Sequence, residues 1–308
     1  MQGVSDLVQC TSVKTKKIFR KIKEVNYNLK HNIRMIGLDL DGTLLTSQKT
    51  MTSYTKSVLE EALLQGIHVL VSTGRPISAI PREILEIPGM KYAVTANGAR
   101  ILELSKDGED TVLREHTVSV DIAKKALEIF KEYDTIHEIF IEGTGYSSQN
   151  VKKAEEYFEN PSMAEYLLKT RIPVENVIET LKEKNKSVEK VQGIFKNVKE
   201  QEEALPRLLE IKGITVTSAL GNNLELNQEG VDKGKALLEL GELLGISKDE
   251  IMACGDGMND YEMLKTVGFA VAMENADSRL KEIADYITVT NDEDGVAKAI
   301  KKFALRTQ

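Results

Sequence analysis

Short apolar runs alternate with amphipathic segments in the first and last parts of this chain. Apolar runs of about four to eight residues indicate buried strands, and apolar residues recurring every three or four positions indicate helices. In the first part, the pattern predicts strands at 33–40, 67–72 and 92–95 and helices at 52–65 and 77–85. In the last part, it predicts helices at 233–244 and 260–266 and strands at 250–254, 269–273 and 286–288. This alternation predicts βαβ units, and therefore an α/β fold whose parallel sheet is covered on both faces.

The middle of the chain has a different pattern. It predicts helices at 121–133 and 198–211, a long charged helical stretch at about 151–186, and strands at 137–142, 188–195, 214–219 and 223–226. Alternating burial in such strands is typical of an antiparallel sheet covered by helices on one side. We therefore expect a basic extension at 1–32, a discontinuous core domain at 33–115 and 223–308, and an α+β domain inserted at 116–222.

Composition places the protein among ordinary globular proteins. The 308 residues are 41% hydrophobic and 29% charged, enough for about two domains with real cores. No apolar stretch reaches the roughly 18–20 residues that span a bilayer, and the start lacks the apolar run of a secretory signal. Two cysteines are too few for a disulfide framework and fit a cytoplasmic location. A net charge of −7 argues against nucleic acid as the main partner.

The charge is unevenly distributed, because residues 1–32 are basic. They hold seven lysines and arginines against two acidic residues, which leaves −12 on the remainder. Ile18, Ile22, Val25 and Leu29 recur at helical spacing, which is typical of an amphipathic helix. Such a helix would contact a membrane surface or a partner protein. A loosely held extension without a fixed structure is the alternative, and the sequence leaves both open.

Two carboxylates stand at the end of the first predicted strand, in the segment Asp39-Leu40-Asp41-Gly42-Thr43. Residues i and i+2 of a strand share a face, so Asp39 and Asp41 are expected to point into one crevice. Carboxylates buried together are unfavourable unless a cation or hydrogen-bond donors compensate. A strand that simply ends in an Asp-Gly turn would contain the same residues, so this pair alone does not establish chemistry.

Three further clusters stand where parallel-sheet proteins bind ligands, beyond strands or at the start of a helix. Thr73-Gly74 offers a hydroxyl and a backbone N–H to an oxyanion, although Thr73 would serve equally as a helix cap. Lys233 opens a predicted helix, where the dipole disfavours a cation, although a lone lysine is usually a surface residue. Gly255-Asp256-Gly257-Met258-Asn259-Asp260 places two carboxylates on a turn, and its glycines let a ligand approach the backbone.

In their order along the chain, the four clusters resemble the four motifs of the haloacid dehalogenase-like (HAD) phosphohydrolases. The inserted domain lies between the second and third motifs, which is similar to the C2 (type IIB) cap of the Cof-type subgroup. The segments Ser72-Thr73-Gly74-Arg75 and Asn97-Gly98-Ala99 are similar to that subgroup as well. The resemblance covers about residues 33–308, and the basic extension departs from it. It implies a Rossmann-like parallel-sheet core with an inserted α+β cap of the C2 type.

The resemblance also implies a role for each motif residue. Asp39 would be the nucleophile that forms an aspartyl-phosphate, and Asp41 the general acid and base. Asp39, the Asp41 backbone carbonyl and Asp256 would hold Mg²⁺, a hard cation that prefers oxygen ligands. Asp260 would orient the metal site or the lysine. The transferring phosphate would be bound by Leu40 through its amide, Thr73, Gly74, Lys233 and Asn259.

The expected function is therefore a Mg²⁺-dependent phosphatase for small phosphorylated metabolites. Sugar phosphates are the expected class, with flavin mononucleotide and pyridoxal phosphate as further candidates. Arg75 would either reach the substrate or cap a turn. A phosphomannomutase-like transferase is one alternative, but it needs a second phosphate site in the cap, and Arg171 and Arg207 stand isolated in sequence. A regulatory protein that binds a partner through residues 1–32 is the other.

Overall fold

Two sheets with their helices make up the structure, a computed structural model that describes residues 32–106 and 109–306. The strands are β1 (Met35–Leu38), β2 (His68–Ser72), β3 (Tyr92–Thr95), β4 (Arg100–Glu103), β5 (Thr111–Glu115), β6 (Thr135–Ile141), β7 (Thr144–Ser147), β8 (Arg171–Pro173), β9 (Lys190–Phe195), β10 (Ile214–Thr217), β11 (Asn223–Gln228), β12 (Ile251–Gly255), β13 (Phe269–Ala272) and β14 (Tyr286–Ile287). The α-helices are α1 (Ser53–Leu64), α2 (Arg82–Leu85), α3 (Val120–Phe130), α4 (Pro161–Thr170), α5 (Val177–Lys184), α6 (Val198–Leu209), α7 (Lys233–Leu244), α8 (Tyr261–Thr266), α9 (Ser278–Ile283) and α10 (Gly295–Phe303). The predicted helix within 1–32 lies outside the described residues.

The larger sheet has eight strands in the order β14-β13-β12-β1-β2-β3-β4-β5. Its first six strands are parallel, and β4 and β5 extend it in antiparallel pairing. All four residues of β1 are buried, because helices cover the sheet and strands buried on both faces are continuously apolar. Leu38 pairs with Cys254 on β12 and with Val71 on β2. The residues that follow these three strands therefore meet at one edge of the sheet.

The smaller sheet has six strands in the order β10-β11-β9-β6-β7-β8, antiparallel except for the pair β7 and β8. Helices α3, α5 and α6 pack on one of its faces, around residues such as Phe130 and Val191. The other face carries the alternate residues of each strand. Phe140 from this face packs against Ala96 and Ala99 of the larger unit. One face of the smaller sheet therefore rests in part on the larger unit.

Two predicted helices are wrong, and prolines and asparagines explain both. The stretch 151–186 is divided into a 3₁₀ segment (Gln149–Glu156), α4, β8 and α5. Asn160 and Asn176 accept hydrogen bonds from the first turns of α4 and α5, so each begins a new helix. The stretch 77–85 is a 3₁₀ turn followed by α2, because Pro81 forces the preceding residue out of the helical conformation.

Some elements lie elsewhere than predicted. The strand β11 pairs with β9 and β10 in the smaller sheet, whereas the predicted boundary assigned residues 223–228 to the core. Strands β4, β5, β7 and β8 and helices α9 and α10 were not predicted. Over 32–106 and 109–306, no helix combines the length and the apolar character needed to cross a bilayer.

Candidate active site

The carboxyl ends of β1, β2 and β12 bring three of the predicted clusters together. Asp39 follows β1, and its N–H donates to the carbonyl of Cys254 on β12 (3.1 Å). Thr73 follows β2, and Asp256 follows β12. Gly42 (φ 84°) is needed in the turn after β1, because a Cβ there would lie 2.3 Å from Asp256 Oδ2. The glycine thus allows the loops after β1 and β12 to pack closely.

Lys233, the first residue of α7, ties two of these loops together. Its Nζ donates to Asp39 Oδ1 (2.6 Å) and to Asp260 Oδ1 (2.7 Å), and its side chain has no exposed surface. Burial alone would lower the pKa of Lys233, but Asp260 and Asp39 outweigh it and raise the pKa above its usual range. The lysine is therefore a buried cation between two carboxylates rather than a surface residue.

Asp260 accepts three hydrogen bonds. Besides Lys233, it accepts the N–H groups of Asp256 (3.0 Å) and Gly257 (3.1 Å) on its second oxygen. Asp256 is held differently, because Thr43 Oγ1 donates to its Oδ1 (2.7 Å). Burial and the charge of Asp260 raise the pKa of Asp256 to about 7. Asp260 therefore orients the turn and the lysine, whereas Asp256 faces the open part of the site.

The carboxylates form an oxygen-rich group that fits a divalent cation. Asp39, Asp256 and Asp260 each offer an oxygen within 4.8 Å of the others. Burial and then the charge of Asp260 raise the pKa of Asp39 well above its usual range, although Lys233 opposes this. A hard cation would relieve this repulsion and takes oxygen ligands. Because Asp260 already accepts three hydrogen bonds, Asp39 and Asp256 are the two side chains best placed to hold one.

Asp41 is held by two cations. Arg75 donates from Nε and Nη2 to both of its oxygens (2.7 Å each), and Lys49 Nζ donates to Oδ1 (2.6 Å). Burial would raise the pKa of Asp41, but Arg75 and then Lys49 outweigh it and hold the pKa well below its usual range. The Arg75 guanidinium carbon lies over the Tyr166 ring, 4.0 Å from the ring centroid. Sequence reasoning left the role of Arg75 open and missed Lys49, which no motif distinguishes.

The predicted phosphate-binding residues lie on the same side of the sheet. Thr73, Gly74 and Asn259 line one pocket together with Asp39, Asp41 and Asp256. Leu40, which stands between Asp39 and Asp41 in the sequence, is buried. A Cβ at Gly74 would lie 2.9 Å from Asn97 Oδ1, so a larger residue here would displace the Asn97 amide. The fold therefore gathers the predicted site residues around one pocket, with Lys233 and Asp260 joined to it through hydrogen bonds.

The smaller sheet and its helices form the other wall of this pocket, which encloses about 90 Å³. The wall residues include Met163, Tyr166, Leu167, Arg171, Lys190, Gln192, Leu220 and Glu225. Arg171 pairs with Glu138, and Lys190 with Glu225 (2.7 Å). Sequence reasoning missed this wall. The alternation of polar residues on β9 and β11 could have indicated it, since residues i and i+2 of a strand share a face.

Comparison with known proteins identifies the family of this chain. The model of the haloacid dehalogenase-like hydrolases matches residues 36–300, so the chain belongs to that family. The phosphatase YwpJ of Bacillus subtilis is 32% identical over 87% of this chain and 99% of its own length. The 5-amino-6-(5-phospho-D-ribitylamino)uracil phosphatase YcsE of B. subtilis is 30% identical over 89% of this chain and 97% of its own.

Solved structures of the same family have the same fold as this chain. A haloacid dehalogenase-like hydrolase from B. subtilis superimposes with a TM-score of 0.77 at 28% identity, covering 87% of this chain and 99% of that one. The HAD subclass IIB sugar phosphatase BT4131 gives a TM-score of 0.73 at 27% identity, covering 88% and 98%. The predicted α/β core with an inserted α+β cap of the C2 type is confirmed, and the protein is a hydrolase of the phosphatase-containing HAD family.

Proposed function

We propose that this protein is a Mg²⁺-dependent phosphatase that hydrolyses small phosphomonoesters through an aspartyl-phosphate. The proposal is carried by the buried pair of Asp39 and Lys233 and the half-buried Asp256, which lie beside the oxyanion donors Thr73 and Asn259. A phosphate dianion needs cations and N–H or O–H donors around it, and a carboxylate attacking it needs its own charge offset. This group supplies both in one pocket.

Asp39 is the proposed nucleophile. Lys233 holds its Oδ1, which leaves Oδ2 to attack phosphorus while the P–O bond to the leaving group breaks. Asp39, Asp256 and the backbone carbonyl of Asp41 would hold Mg²⁺, which would offset charge on the carboxylate and the phosphate. The negative charge of the transferring phosphoryl group would be stabilised by Lys233, Thr73, Asn259 and the backbone amides of Leu40 and Gly74.

Asp41 is the proposed acid and base. It would give a proton to the leaving alkoxide and later remove one from the water that hydrolyses the acyl-phosphate. Arg75 and Lys49 stabilise its carboxylate form, which is the form that accepts the proton from water. The negative charge of a phosphate dianion bound beside Asp41 would counteract the charge of the two cations. It would therefore favour the protonated carboxyl, which is the form that gives a proton to the leaving alkoxide.

The pocket wall supports a substrate whose leaving group is uncharged. Among the described residues that line the pocket, the cations Arg75, Arg171 and Lys190 are each paired with a carboxylate. A phosphomannomutase-like reaction requires a second phosphate to be bound in the cap, and these paired cations do not favour one. The relative named as a sugar phosphatase further supports sugar-like phosphate esters. We propose a cytoplasmic location on the basis of the scarce cysteines.

The test is phosphate release from a panel of phosphorylated sugars, nucleotides and cofactors, with Mg²⁺ and with excess chelator. We expect metal-dependent release, with monophosphates of neutral sugars and polyols as the best substrates. Conversion between sugar-phosphate isomers without net release would instead support the mutase. No reaction with any compound would contradict the proposal.

A further inference from the structure

A network of buried polar side chains connects the cap sheet with the proposed phosphate site. Lys190 Nζ on β9 donates to the Gly74 carbonyl (2.8 Å) and to Glu225 Oε1 on β11 (2.7 Å). Glu225 Oε2 accepts from Asn97 Nδ2 (2.6 Å). Asn97 Oδ1 in turn accepts from Asn259 Nδ2 (3.3 Å). We call Lys190, Glu225 and Asn97 the junction network, because they link the two units of the fold.

The junction network is costly to bury. Lys190 is 1% exposed, and Glu225 and Asn97 are each 4% exposed. A buried ion pair of this kind commonly adds no stability over apolar residues of similar size, because desolvation opposes the charge attraction. Stability of the interface alone therefore does not account for a lysine and a glutamate here.

The turn that carries Asn97 is strained as well. Ala96, Asn97 and Gly98 have φ values of 49°, 60° and 101°, in the left-handed region that residues with a side chain rarely adopt. Strain of this kind is unfavourable for residues with a side chain, and it concentrates at functional sites. The Ala96 N–H donates to the Arg75 carbonyl and the Asn97 N–H to the Thr73 carbonyl (2.9 Å each). The strained turn is thus fixed to the loop after β2.

The network reaches two phosphate donors. Asn97 takes one N–H of the Asn259 amide, which orients the side chain and leaves the other N–H for the pocket. Lys190 holds the carbonyl of the peptide between Gly74 and Arg75. The N–H of that same peptide donates to Thr73 Oγ1 (3.2 Å), so the hydroxyl hydrogen of Thr73 is free to point elsewhere. Both donors are therefore oriented through contacts with the cap.

We propose that Lys190, Glu225 and Asn97 are positioning residues that make phosphate affinity depend on the cap sheet resting against the core. The inference rests on the proposed function, because it concerns the same phosphate site. The junction network does not touch the reacting atoms. It aligns the donors Thr73 and Asn259 through the contacts that Lys190 and Glu225 make with the core.

The test compares Lys190→Met with Lys196→Met by calorimetric titration of inorganic phosphate in Mg²⁺ buffer, and by phosphate inhibition of hydrolysis. Lys196 is the matched control, since it pairs with Glu156 on the cap surface (2.6 Å), where both side chains are more than 40% exposed. We expect phosphate affinity to fall about tenfold or more in Lys190→Met and to stay unchanged in the control. Equal affinity in both variants would overturn the inference.

If Lys190→Met fails to fold, Asn97→Gly is a second variant. It leaves no buried charge unpaired, because Lys190 still pairs with Glu225. Glycine accepts the left-handed backbone but removes the amide, so we expect a similar loss of phosphate affinity. In the double variant the loss should be smaller than the product of the two single losses, because Lys190 and Asn97 both donate to Glu225 and losing either one already loosens the other. Fully multiplicative losses would overturn the network. A wild-type protein that neither binds phosphate nor hydrolyses any ester would instead refute the proposed function itself.

Discussion

Removing the ammonium group of Lys233 tests whether the site is built around a buried cation. Lys233→Met keeps a long apolar side chain but leaves Asp39 and Asp260 without the group that lies 2.6 and 2.7 Å from them. The three side chains are between 0% and 7% exposed, so water cannot replace the lost partner. Removing one member of a buried ion pair costs about 3–5 kcal/mol, because the remaining charge stays buried and unpaired.

We therefore expect the free energy of unfolding of Lys233→Met to be about 3–5 kcal/mol below that of the wild type. Urea denaturation followed by circular dichroism at pH 7 measures this, with chelator present so that no cation compensates for the lost charge. Adding Asp260→Asn removes one of the two stranded charges and should recover part of the loss. Lys265→Met is the control, since its pair with Glu262 is more than 50% exposed on both sides and contributes little.

A Lys233→Met variant as stable as the Lys265→Met control would contradict this prediction. It would mean that the two carboxylates are not desolvated in solution as they are in the structure. Failure of Asp260→Asn to recover any stability would show that the loss comes from packing rather than from charge.

Two further predictions concern other parts of the molecule. Burial and then the charge of Lys131 lower the pKa of His137 from 6.5 to about 4, so the unfolded chain takes up this proton at a higher pH than the folded protein, and stability falls as the pH drops through that window. His137→Gln should reduce the loss of stability between pH 7 and pH 4 by about 3 kcal/mol in urea titrations at several pH values, and an unchanged pH profile would contradict this prediction. Thr43→Val removes the hydrogen bond to Asp256 and should raise the Mg²⁺ concentration for half-maximal activity roughly tenfold. Thr50→Val, on the exposed part of the same loop, is the control and should leave this concentration unchanged. Equal values in the two variants would count against Asp256 as a metal ligand.

The core sheet and its motifs could be predicted because their signals are local. Buried parallel strands are continuous apolar runs, and the residues just beyond them meet at one edge whatever the rest of the chain does. This placed Asp39, Thr73 and Asp256 together correctly. The lysine at the start of α7 was also informative, since the helix dipole disfavours it unless nearby carboxylates compensate.

The cap could be predicted only in outline. Charged residues that favour helices continue from 151 to 186, and the pattern hides the strand β8 between two helices. The partners of Arg171, Lys190 and Glu225 depend on which strands of the second sheet are neighbours, and sequence periodicity does not specify strand order. The pairing of Asp41 with Arg75 and Lys49 depends likewise on how two loops pack in three dimensions.

Trapping the covalent intermediate on Asp39 would test the aspartyl-phosphate mechanism directly. The best substrate from the panel is mixed with the enzyme in Mg²⁺, the reaction is quenched in acid during turnover, and the peptides are analysed by mass spectrometry. We expect one phosphoryl group on Asp39 in the wild type, and neither adduct nor phosphate release in a folded Asp39→Asn variant. Phosphate release by Asp39→Asn at the wild-type rate would contradict it.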